Sequence, residues 1–172
     1  MNCSLNTVAG LITAAIAALL SAIALAYLWI TALPLFAAAA LVASVAFYFI
    51  PAIKQALLDY AACRGPSDKC RVTLTIDTLG QAAATLSAVS FAVAAAMQVT
   101  ALAFLFSWFL AWIGVGMMAA VLFLVKAGIF SCAITALLLL GVLSNAWAFK
   151  KCMDEQQTGG VGTGNTDPPV FR

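Results

Sequence analysis

Histidine is absent from the 172 residues. Without an imidazole the chain lacks the commonest general base and proton relay, and it cannot build a His-containing zinc site. Charge is nearly as scarce. Asp, Glu, Lys and Arg make up 8% of the residues, against roughly 25% in soluble domains. The acids are Asp59, Asp68, Asp77, Asp154, Glu155 and Asp167, and none lies deep inside an apolar run. A net charge of +2, with no basic stripe interleaved with aromatics, excludes nucleic acid as a partner. The first ten residues, MNCSLNTVAG, lack a basic region. The apolar run behind them is longer than the 7–15 residues typical of a signal peptide, so the first helix is expected to remain as an uncleaved anchor.

What is present is apolar. Hydrophobic residues make up 65% of the chain and the mean hydropathy is +1.10, the composition of a polytopic membrane protein, with the lipid bilayer as its first partner. The spacing of apolar runs and turn residues predicts an all-α, antiparallel bundle of four transmembrane helices, built as two helical hairpins over residues 1–155. The expected spans are about 8–31, 35–57, 79–110 and 115–149, with a polar loop at 59–77. Pro34 marks a turn after the first span, because the residue before a proline is pushed out of the helical region. Pro51 is expected to kink the second span near the interface. Asp77 or Thr78 is suited to cap the third. Between the third and fourth, the glycines of WIGVG, Gly114 and Gly116, offer the best break. The preceding ALAFLFSWF has no Gly, Pro or Asn, which argues against a turn there. The segment 156–172, rich in Gly, Thr and Pro, reads as a disordered tail.

The basic residues orient the bundle. With four spans, Lys54, Arg64, Lys69, Arg71, Lys150 and Lys151 fall on one side, which the positive-inside rule makes cytoplasmic. Five spans would split them. The expectation is an inner-membrane protein of bacterial type with both termini in the cytoplasm.

Few residues carry chemistry. Of the cysteines, Cys3, Cys63, Cys70 and Cys152 share the basic face, and Cys132 lies within the last span. Their spacing is poor for a metal site, which usually pairs ligands two to four residues apart. The only close pair, Cys63 and Cys70, is C-x6-C rather than the C-x-x-C of thiol oxidoreductases. Gly65 and Pro66 would let these two bridge, but a cytoplasmic loop is reducing, and free loop thiols are the simpler expectation. Lys126 is the one charge inside the last long apolar run, and an intramembrane ionisable residue is by default a functional candidate. Placed about nine residues into a helix starting near Met117, roughly 13 Å of rise, it is within range of snorkelling. Gln98, Asn145 and the serines Ser21, Ser44, Ser87, Ser90 and Ser131 suit hydrogen bonding between helices.

Small residues at four-residue spacing are the most repeated pattern. Gly10, Ala14, Ala18, Ala22 and Ala26 form one row, Ser87 and Ala94 belong to another, and Ser131 and Thr135 to a third. Such rows let helix backbones approach closely, inside the bundle or against a partner. The resulting expectation is a non-catalytic interaction protein without a cofactor, paired with a membrane protein or its own copies. It would act as an accessory subunit of a membrane complex, or as an immunity-type protein that blocks a membrane-acting toxin. Two alternatives are an oligomeric transporter or channel lined by Lys126, and a thiol oxidoreductase using Cys63 and Cys70.

Overall fold

A computed structural model describes residues 5–64 and 78–159. Among these, every regular element is helical. Helix α1 spans Leu5–Ala26 and α2 spans Ala32–Ser44. A π-helical turn, Val45–Phe49, joins α2 without a break to α3, Ile50–Arg64; α4 spans Thr78–Leu105 and α5 spans Ala111–Gly159. Four stretches are long and apolar enough to cross a membrane: Leu5–Ala26, Ala32–Tyr60, Gly80–Leu105 and Ala111–Glu155. Around the bundle α1 packs on α2 and α5, α2 packs on α4, and α4 packs most extensively on α5.

The interior of α1 is the stripe Leu5, Val8, Ile12, Ala15, Leu19, Ala22 and Ala26. Steps of three and four alternate, so one narrow face meets its neighbours along the whole helix, as in coiled-coil packing. This stripe is not the small-residue row expected from spacing. Gly10 and Ala14 are exposed and Ala18 is half-buried; a row at every fourth residue drifts around a helix of 3.6 residues per turn and meets the interior only at Ala22 and Ala26.

One turn before Pro51 the second span widens into the π-helical turn. The Ile50 amide donates to the Val45 carbonyl, five residues back. Pro51 has no N–H to offer the Phe47 carbonyl and its ring crowds that oxygen, and a widened π turn accommodates both defects. The extra residue also shifts the buried stripe. Val45 and Ala46 are both interior, and burial then resumes at Ile50, Ile53, Leu57 and Tyr60. Pro34 lies inside the first turn of α2 rather than in the connection, where a missing N–H costs nothing.

The connection between α4 and α5 departs from the expected one. It is formed by Phe106–Leu110, and Gly114 and Gly116 are both within α5. Its bonds run from Ser107 N–H to the Phe104 carbonyl and from Leu110 N–H to the Ser107 carbonyl. Turns of this spacing include type I, which most residues can adopt, and this one forms without glycine. Gly114 serves close approach instead: a Cβ there would lie 2.9 Å from Leu105 Cγ and 3.1 Å from the Ala101 carbonyl oxygen.

At the charged end α3 and α5 continue together. Buried Tyr60 meets buried Phe149 edge-to-face at 6.0 Å, Lys150 lies over the Trp147 ring, and α5 remains helical to Gly159. Residues 156–159, expected in the tail, are therefore helical. Cys3, Cys70, Lys69, Arg71, the Asp77 cap and residues 160–172 lie outside the described residues.

Candidate functional site: polar groups of the α4–α5 seam

The polar groups of the second hairpin gather where α4 meets α5. Ser87 Oγ donates to the Gly128 carbonyl at 2.8 Å and lies 2.9 Å from Cys132 Sγ. Ser131 Oγ donates to the Ala83 carbonyl at 2.6 Å. One turn beyond Ser87 on α4, the fully buried Phe91 ring covers Gly128. The missing Gly128 side chain lets the ring in, and Ser87 and Ser131 satisfy backbone carbonyls across the helix pair. With lipid as apolar as the side chains themselves, such packing and bonding supply the association energy. Ser90 and Thr135 bond carbonyls of their own helices, as do Ser21 and Ser44 in the first hairpin.

Gln98 is fully buried near the opposite end of α4. Its Nε2 donates to the Trp29 carbonyl, tying α4 to the turn between α1 and α2, while Oε1 finds no partner among the described residues. Replacing it by leucine removes one hydrogen bond but also one unsatisfied buried acceptor, and these changes oppose each other. Gln98→Leu is therefore expected to change stability in detergent by less than about 1 kcal/mol. A loss above about 2 kcal/mol would show that Oε1 has a partner, such as an ordered water.

The remaining candidates do not converge. Asn145 is exposed, and Lys126 points outward from α5, so within one bundle Lys126 lines no path. Ala94 is buried in α4 and Ser87 in the seam. Cys132 is a buried free thiol. Cys63 and Cys152 are disulfide-bonded, which corrects the expectation of free loop thiols for Cys63. Among the described residues no group of three or more His, Cys, Asp or Glu is placed to hold a metal. Spacing singles out neither Gly128 nor Phe91; the ring that fills the notch is a long-range partner that no local pattern reveals.

On its outer surface the bundle has an apolar groove of about 390 Å³ between α2 and α4, lined by Ala39, Ala40, Ala43, Phe47, Ala88 and Ala92 among others. A second hollow, at the charged end of α5, is bounded by Trp147, Lys150, Lys151, Asp154 and Glu155, residue types suited to the membrane–water boundary.

These features define a four-span α-helical membrane protein whose internal polar groups serve helix packing. No family model matches the chain, and no curated protein or solved structure matches it.

Proposed function

We propose that the protein is a non-catalytic interaction protein of the inner membrane, either an accessory subunit of a membrane complex or an immunity-type protein neutralising a membrane-acting toxin. The observation that carries this reading is the open groove between α2 and α4, whose floor is alanine on both helices. Small residues admit a partner helix to close backbone distance, where dispersion is strongest. After gentle detergent extraction the protein is expected to sediment in a larger assembly. Ala40→Trp, at an exposed position of the groove, should release it as a monomer without loss of fold. A wild-type protein already monomeric would overturn the reading.

The cluster of Lys54, Arg64, Lys150 and Lys151 at one end supports a cytoplasmic location for that end. The disulfide-bonded state of Cys63 and Cys152 at the same end favours the reverse orientation, because such bonds persist on the oxidising side of a membrane.

A further inference from the structure

The π turn of the second span leaves two backbone carbonyls short of their helical donors. The Ile50 amide bonds the Val45 carbonyl, so the Ala46 carbonyl loses it. The Phe47 carbonyl would be served by the amide of residue 51, which is proline. The wide turn relieves the clash of the ring but supplies no N–H.

Gln81 of α4 answers the first need. Its Nε2 donates to the Ala46 carbonyl at 3.5 Å, the outer limit of such a bond. No side chain among the described residues donates to the Phe47 carbonyl. Phe47 and Pro51 are one turn apart and both exposed, so this carbonyl lies on the outer face of the helix. Phe47 is 66% exposed and lines the groove between α2 and α4. Thr85 lines the opposite wall, but its hydroxyl already donates to the Gln81 carbonyl.

The span rises about 33 Å from Ala32 to its first charge, Lys54, close to the hydrocarbon thickness of a bilayer. Phe47 is about 10 Å inside Lys54. Water is scarce there, lipid chains carry no donor, and an unserved carbonyl is costly. The end of the groove therefore asks for a hydrogen-bond donor from its occupant. A second copy is poorly equipped to give one. The exposed hydroxyls of Thr13, Ser21, Ser44 and Thr100 donate to their own helices. The exposed carboxamide of Asn145 is about 21 Å of rise beyond Ser131, which bonds α4 two residues from Gln81.

We propose that the α2–α4 groove docks a transmembrane helix of a different protein carrying a hydroxyl or carboxamide side chain that donates to the Phe47 carbonyl at the π turn. This rests on the interaction reading above and names the chemistry of the partner.

The test places a photo-crosslinking phenylalanine analogue at position 47 of the full chain in native membranes. The captured span is expected to carry Ser, Thr, Asn or Gln within one turn of the attachment point. Changing that residue to alanine should lower capture by about threefold to tenfold, the worth of one interhelical hydrogen bond. Pro51→Ala, which returns an N–H to the Phe47 carbonyl, should lower capture to the same extent without loss of stability in detergent. Capture of lipid alone, of a second copy, or of a helix without such a donor overturns the proposal, as does capture unchanged when the donor is removed. Each of these leaves the sedimentation test of the groove standing. Monomeric sedimentation of the wild type would instead remove the broader reading.

Discussion

Gly128→Ala is expected to cost about 1–3 kcal/mol, and Gly128→Val more, because both overpack the α4–α5 seam. A Cβ at position 128 would lie 2.6 Å from Phe91 Cε1, 2.9 Å from Cδ1 and 3.0 Å from Cζ. The ring has no free direction, since Phe91 is fully buried among core residues. The helices must separate instead, and separation stretches the Ser87–Gly128 and Ser131–Ala83 bonds. Interhelical bonds in membranes average about 0.6 kcal/mol each, so their loss adds to the steric cost. The measurement is the unfolding midpoint in mixed micelles titrated with denaturing detergent. Gly141→Ala is the control, because nothing lies within 4 Å of a Cβ there, and a better helix former in open space should gain about 0.5–1 kcal/mol. The double variant Gly128→Ala with Phe91→Leu should recover part of the loss, as coupling between touching residues requires. Equal stability of Gly128→Ala and Gly141→Ala would falsify this packing of α4 on α5.

Cys63→Ser and Cys152→Ser are each expected to lower stability by about 2–4 kcal/mol, the usual worth of a disulfide. Both residues are disulfide-bonded and lie one turn beyond the Tyr60–Phe149 contact, where α3 and α5 carry the bundle out past its apolar length. A constraint there limits fraying of both helix ends. Cys132→Ser should have a much smaller effect, since Cys132 is a free thiol. Electrophoresis with and without reductant, on protein alkylated before lysis, reads the bonds directly. Bonds present in intact cells would put the basic end on the oxidising side against the charge rule; thiols that are blocked at once by a permeant reagent would put it in the cytoplasm.

Much of the architecture was legible because bilayer thickness imposes a length on every apolar run. The four spans, and the gathering of Lys54, Lys150 and Lys151 at one end, follow from that constraint and from charge placement alone. The connection between α4 and α5 was not legible. Glycine is the usual mark of a turn, whereas Phe106–Leu110 turns without one, closed by the bonds of Ser107 to Phe104 and Leu110 to Ser107. Gly114 and Gly128 instead answer to the shapes of Leu105 and Phe91, which meet them across the helix pair.

The same division holds for the candidate site. Lys126 and the serines stand out as rare polar residues among apolar neighbours, and composition is enough to find them. Which way each one faces is a different matter. A helix rotates its surface by 100° per residue, so the contacts of Ser87 with Gly128 and Cys132, and the outward direction of Lys126, depend on how the helices pack. Sequence alone determined that this chain crosses a bilayer four times, because the cost of leaving apolar or charged residues in the wrong medium is local. Only the tertiary structure decided which small residues face inward and which face outward, because that depends on the shapes of side chains that meet across helices.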